Sequence, residues 1–175
     1  MSKPSMTSGE MGCPYCTDRQ NLIEYLSLAI KHPDIAKLWS TRNNAPTNEI
    51  HPQSKEKAFW ICTKCFGEYS VSVRRMVSGA VKCPYCNDRK ALAGFNSFAA
   101  KQKELMVEWD YVNNFILADP EQILETCDIS VWWTCSENPE HEYTMSPAKR
   151  ILFQKWRKKS CPYCKGRRRK KRHFI

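Results

Sequence analysis

The sequence predicts a small α+β protein of two tandem modules, each a β-hairpin knuckle with adjoining helices and each clamped by a cluster of metal ligands. Three observations predict it. The tetrapeptide Cys-Pro-Tyr-Cys occurs at residues 13–16, 83–86 and 161–164. A shift of 70 residues lays Cys13, Pro14, Tyr15, Cys16, Asp18, Arg19, Leu22, Ala29 and Trp39 on identical residues from Cys83 to Trp109, and Asn43 and Asn44 on Asn113 and Asn114. Self-similarity at a fixed period marks a repeated structural unit. The apolar stretches between the cysteine boxes are short, so neither module buries a large core and metal binding has to supply much of the folding free energy. The predicted organisation is a flexible segment 1–12, a first module 13–90, a second module 91–164 and a basic tail 165–175.

Taken in order, the first element follows the first box. Leu22, Leu26, Ala29 and Ile30 recur at helical spacing and predict a helix with one apolar face. Pro33 interrupts it, and "DIAKLW" gives a second short helical turn. A polar loop, "TRNNAPTNEIHPQSKEK", leads to an apolar strand entering Cys62, and the alternating "EYSVSVRR" predicts the return strand, carrying Arg74 and Arg75. The second module repeats this with Leu92, Phe98 and Ala99 on its helix, an N-cap at Asn96 and Ser97, "VWWTC" entering Cys135, and Lys149 and Arg150 as the counterparts of the two arginines.

Ten cysteines, mostly in close pairs, with no export signal expected, point to metal rather than disulfides, and zinc is the default. Two pairings compete. Cys62 and Cys65 with Cys83 and Cys86 form C-x2-C-x17-C-x2-C, and Cys135 and His141 join Cys161 and Cys164 in the second module. The alternative joins Cys13 and Cys16 to Cys62 and Cys65 and leaves Cys161 and Cys164 without partners. The first closes smaller loops and is preferred. It fills two closed four-ligand sites, the structural kind of zinc site, with Cys86 and Cys164 leading towards helices. His141 stands where the second module lacks a cysteine. Cys127 matches Ser54 and reads as packing or a turn.

The chain carries a net charge of +10, unevenly placed. From residue 141 onward, 13 Lys and Arg face the single Glu142, whereas the remainder carries 15 basic and 17 acidic residues. Lys155, Arg157, Lys158 and Lys159, with Arg74, Arg75, Lys149 and Arg150, predict a surface that tracks a nucleic-acid backbone; Arg167, Arg168, Arg169, Lys170, Lys171 and Arg172 predict a basic arm that doubles as a nuclear-import signal. Lys and Arg of this kind contact phosphate and specify no base code. Trp60, Trp132 and Trp133 read as core in preference to stacking platforms. No apolar run approaches a membrane span. Closed ligand sets, without HExxH or a P-loop, argue against an enzyme. The expected function is nucleic-acid binding, DNA before RNA, with a protein-interaction module as the alternative.

An apolar helix ending in "LW" or "EW", an Asn-rich loop, "VWWTC", "HEY" and the CPYC boxes together resemble the repeated probable zinc-ribbon domain, a treble-clef-type finger found in arrays in large DNA viruses and in bacterial proteins. The resemblance spans Cys13 to Cys164 as two copies. It implies zinc and association with nucleic acid, and the viral members imply a regulatory or genome-associated factor in the nucleus or cytoplasm of an infected cell, or in the virion. The family's CPxCGH knuckle reads "CTKCFGEY" in the first copy, with Gly67 in the histidine's place, and "CSENPEHEY" in the second. Cys13 and Cys16 have no preceding finger. They are expected to cap the following helix as free thiols, to bridge a zinc-linked homodimer, or to recruit Cys127 or His32 to a third zinc.

Overall fold

The structure is a computed structural model and describes residues 25–166. The chain divides at the middle CPYC box into two units, Met1–Cys83 and Pro84–Ile175.

In the first unit, two single-turn helices, α1 (Leu28–Lys31) and α2 (Pro33–Ala36), precede strands β1 (Lys57–Ile61) and β2 (Glu68–Ser72) and helix α3 (Val73–Val77). The strands form an antiparallel hairpin in which Trp60 faces Tyr69. Leu28, Ala58, Trp60, Val71 and Val73 make the core. Trp60 is fully buried. Its indole N–H donates to the Val71 carbonyl at 3.0 Å, so the largest side chain of the core brings no unpaired polar group with it. Trp39 meets its ring edge-on at 5.0 Å.

The second unit repeats the plan with α4 (Phe98–Lys101), a 3-10 segment (Lys103–Glu108), α5 (Tyr111–Asn114), β3 (Val131–Thr134), β4 (Glu142–Met145) and α6 (Pro147–Lys155). Phe98, Leu105, Trp109, Val131, Trp133, Tyr143 and Ile151 form its core. Trp133 donates to the Met145 carbonyl at 2.8 Å as Trp60 does to Val71, and Trp109 packs edge-on against it at 5.3 Å.

The helices differ from the amphipathic ones expected. Leu22 lies outside the described residues, and Leu26 and Ile30 are exposed. Helices α1 and α4 are each one turn long and bury a single large residue, Leu28 or its counterpart Phe98. The polar loop explains how so short a helix persists. Its carbonyls at Ile50 and Thr47 accept from the N–H groups of Leu28 and Ala29, and Ile123 and Pro120 do the same for Phe98 and Ala99. These are the orphan donors of a helix N-terminus. Ser97 is the N-cap, accepting from Ala100 N at 3.3 Å. Asn96 instead braces the loop after the middle CPYC box, its amide donating to the Tyr85 and Lys90 carbonyls and to Asp88 while its oxygen accepts from Leu92 N. That box lies in a turn, and the next described helix begins only at Phe98, so Cys86 does not lead directly into one.

The return strand is also shorter than predicted. It ends at Ser72, where α3 begins, so Arg74 and Arg75 sit on a helix and not on the strand. Lys149 and Arg150 lie likewise on α6.

The Asn-rich loops lock onto the hairpins. The Asn43 side chain both accepts from Phe59 N and donates to Phe59 O, each at 2.8 Å. In the second unit Asn114 makes the same pair with Trp132, again at 2.8 Å each. The sequence shift aligned Asn43 with Asn113, but Asn113 bonds to Asp110 and its neighbour takes the clamping role.

Candidate metal centres

Each hairpin turn presents the first two ligands of a cluster. In the first unit Cys62 N donates to Gly67 O at 3.1 Å and Phe66 N to Cys62 O at 2.9 Å, folding the knuckle back on itself. Phe66 adopts a φ of 56°, the left-handed conformation that tightens this turn. The ligand atoms of Cys62, Cys65, Cys83 and Cys86 all lie within 4.8 Å of one another, and the Cys65 and Cys83 sulfurs are 3.6 Å apart.

In the second unit Cys135, His141, Cys161 and Cys164 converge in the same way. Cys135 N donates to His141 O at 3.0 Å, so His141 occupies the hairpin position of Gly67 and not that of Cys65. The lost cysteine is replaced from a different place in the turn, by a side chain long enough to reach. His141 Nδ1 lies 3.6 Å from the Cys164 sulfur and 3.8 Å from that of Cys161, and Cys135 and Cys164 sulfurs are 3.7 Å apart. The imidazole stacks on the Tyr163 ring at 5.0 Å, which gives the tyrosine of this CPYC box a role in orienting the ligand.

The donor sets fit zinc. With Zn–S near 2.3 Å and Zn–N near 2.05 Å, tetrahedral edges come to roughly 3.8 Å between sulfurs and roughly 3.6 Å between sulfur and nitrogen. The observed separations match these edges and are far too long for disulfides, and no disulfide joins any of the eight cysteines among the described residues. Two zinc ions per chain therefore suit the two clusters. The thiols already feel their surroundings. Burial pushes the Cys135 thiol up, but backbone N–H groups of Asn138 and Glu137 and its sulfur neighbours outweigh it, so its pKa falls below the ordinary thiol value. Burial and the neighbouring sulfurs push Cys164 up to about 12. A cation is what such a cluster needs to hold every sulfur as thiolate.

Cys127 stands apart from both clusters. Its carbonyl accepts from Ala148 N at 3.2 Å, as that of Ser54 accepts from Arg74 N at 2.9 Å, so the matched positions form equivalent turns under α6 and α3. Trp60 and Trp133 are core, and Trp132 is half-buried. Cys13 and Cys16, with Arg167, Arg168, Arg169, Lys170, Lys171 and Arg172, lie outside the described residues.

Of the other expected phosphate contacts, Arg74, Arg75, Lys149, Lys155, Arg157, Lys158 and Lys159 are exposed. Lys159 pairs with Glu137 at 2.9 Å on the surface, which holds that carboxyl below its ordinary range. Arg150 is different. It is buried, and its guanidinium donates through Nε and Nη2 to one oxygen of Glu108 at 2.9 and 2.5 Å while lying over Trp133. It belongs to the packing of the unit and is withdrawn from the basic surface. Sequence reading did not find Glu108, which is distant along the chain, nor the exposed Trp156 at the end of α6.

Among the described residues no helix is long and apolar enough to cross a membrane. No curated protein matches the chain. Residues 35–89 and 105–167 each match the family described as a probable treble clef zinc finger domain. Each matched region contains one complete ligand set, and Cys13 and Cys16 fall outside both, so the match begins later than the resemblance read from the sequence. With more than half its length matched in two copies, the chain belongs to the probable treble clef zinc finger family.

Proposed function

We propose that this is a non-enzymatic zinc-finger protein that binds nucleic acid, DNA in preference to RNA, through the second unit and the basic run that follows it. The observation that carries the reading is the concentration of exposed cations beside the second ligand cluster, where Lys155, Arg157, Lys158 and Lys159 follow one another at the end of α6. Both ligand sets supply four protein donors, which favours structural metal over a catalytic ion with an open position. A viral regulatory or genome-associated role, and nuclear import through the terminal basic run, rest on the resemblance of the boxes and on charge. The test is fluorescence anisotropy of zinc-loaded protein with labelled DNA and RNA across a salt series. Affinity should fall steeply as salt rises, and K155Q/R157Q/K158Q should flatten the log–log slope by about 2 to 3, near one per lost phosphate contact. Absence of salt-sensitive binding to either nucleic acid would sink the reading.

A second reading, association with another protein, is favoured by one feature of the second unit. Val107, Tyr111, Val112, Phe115, Ile116 and Leu117 are all exposed, Ile116 by 92%. The corresponding stretch of the first unit is polar, with Thr41, Arg42 and Asn43. Side chains of this size expose several hundred Å² of apolar surface, more than monomers usually leave bare and approaching the roughly 800 Å² per partner of a standard interface. The stretch from Tyr111 to Ala118 carries no charge, so a second copy meets it without like-charge repulsion. Light scattering should then show a dimer that survives nuclease and high salt and is lost in F115S/I116S; a monomer at high concentration rejects it. One odd zinc shared by two chains, beyond the two that each holds, would instead mark bridging through Cys13 and Cys16.

A further inference from the structure

We infer that the end of α6 is a platform for unpaired bases, with the Trp156 ring stacking on a base while the surrounding cations hold the flanking phosphates. The inference rests on the nucleic-acid reading above and names the form of nucleic acid it takes.

The two copies diverge here. Ser72 and Ser146, which open α3 and α6, stand 74 residues apart, whereas Cys83 and Cys161 stand 78 apart, so the second unit carries four extra residues between helix start and CPYC. They lengthen α3's five residues to nine in α6. The insertion is not filler. Between Met76 and Cys83 the first unit has no aromatic residue, while the longer segment of the second brings Phe153 and Trp156, interleaved with Lys155, Arg157, Lys158 and Lys159.

The tryptophans of the two cores, Trp60, Trp109 and Trp133, are at most 4% exposed, but Trp156 is 57% exposed. Arg157, at a φ of 51°, turns the chain sharply away from the helix just after it. Phe153 lies beside Trp156, ring centres 6.4 Å apart, and the two line a groove of about 510 Å³ with Lys158, Lys159, Cys164 and Lys165. Lys158 Nζ sits 5.2 Å from the Trp156 ring centre and Lys165 Nζ 4.0 Å from that of Phe153. The ring is more than half exposed, with one lysine over it and a second over its aromatic neighbour, so an aromatic surface and positive charge share one groove.

That combination selects its partner. In a duplex the faces of the bases are stacked on one another and closed to a side chain, so an exposed ring can meet a base face only where nucleotides are unpaired. Base–aromatic stacking tolerates any sequence, and a cationic rim supplies the phosphate contacts, which is how proteins hold single strands without base readout.

The experiment uses the full zinc-loaded chain with a labelled oligothymidine and a duplex of equal length at one salt concentration. Wild type should prefer the single strand. W156A should lose about 10-fold or more on the single strand, the scale of one lost stacking contact, and stay within about two-fold on the duplex, while W156F should recover most of the loss. Two zinc ions per chain by native mass spectrometry would establish that W156A keeps its fold. If W156A weakens both ligands equally, or neither, the platform is wrong although the nucleic-acid reading stands. If wild type binds neither, the broader reading fails and the platform with it.

Discussion

Cys161→Ser should unfold the second unit and reduce the zinc content from two ions per chain to one. Zinc binding by small fingers is worth roughly 10–16 kcal/mol at neutral pH, comparable to or larger than the whole stability of a domain. The core of this unit is a handful of side chains around Trp133 and Phe98, and Cys161 belongs both to that core and to the ligand set. Its loss removes a buried packing contact and the fourth donor together. Native mass spectrometry reads the stoichiometry, and the indole N–H signals in an NMR spectrum read the fold: those of Trp109 and Trp133 should collapse towards unfolded positions while those of Trp39 and Trp60 stay dispersed. Cys127→Ser is the control, since that thiol lies in neither cluster, and it should keep both zinc ions and all four signals. Retention of two zinc ions by C161S, or loss of one by C127S, would overturn the assignment of ligands.

The largest effect away from the metal is expected at Glu108 and Arg150, whose side chains are only 12% and 9% exposed. Removing one partner leaves the other charge buried without a counterion, which costs about 3–5 kcal/mol. The first unit shows what can replace the pair. The 70-residue shift puts Leu38 at the place of Glu108, and counting from the helix starts at Ser72 and Ser146 puts Met76, and not Arg75, at the place of Arg150; Leu38 and Met76 both pack against the first core. E108L and R150M should each destabilise the second unit strongly, whereas E108L/R150M should lie near wild type or exceed it by about 1–4 kcal/mol, as apolar replacements of buried ion pairs often do. Urea unfolding at fixed free zinc measures the three variants in one cycle. A double variant as unstable as the singles would mean that the pair does more than fill its site.

Much of this architecture was open to sequence reading because metal sites write themselves into cysteine spacing. A ligand must recur at a turn, whatever surrounds it, and the repeated CPYC boxes with the matching hairpins at Cys62 and Cys135 exposed both clusters and the absence of a counterpart to Cys65. Features that depend on chain folding over long separations were closed to it. Arg150 looked like its basic neighbours because nothing local to it reveals Glu108, and only the fold brings the two together. The helices misled because periodicity assumes several turns, whereas α1 and α4 are single turns anchored by loop carbonyls, so Leu26 and Ile30 face outward and Leu28 alone is buried. Asn113 matched Asn43 by position, yet the clamp passed to Asn114 because the loop is one residue out of step with the strand it grips.

That clamp bears on how the protein resists self-templated assembly. A two-stranded sheet has two open borders, each a row of peptide groups able to recruit a passing strand. Along β1 the border facing away from β2 is already spoken for. Ser40 N donates to Phe59 O and Leu38 O accepts from Ile61 N, and the Asn43 amide, shaped like a peptide group, fills the remaining positions at Phe59. Asp110 and Asn114 block β3 at Trp132 in the same manner. A foreign strand is thereby directed to the β2 and β4 sides, because in each repeat one side-chain amide and the backbone beside it occupy the border of the strand that carries the buried tryptophan.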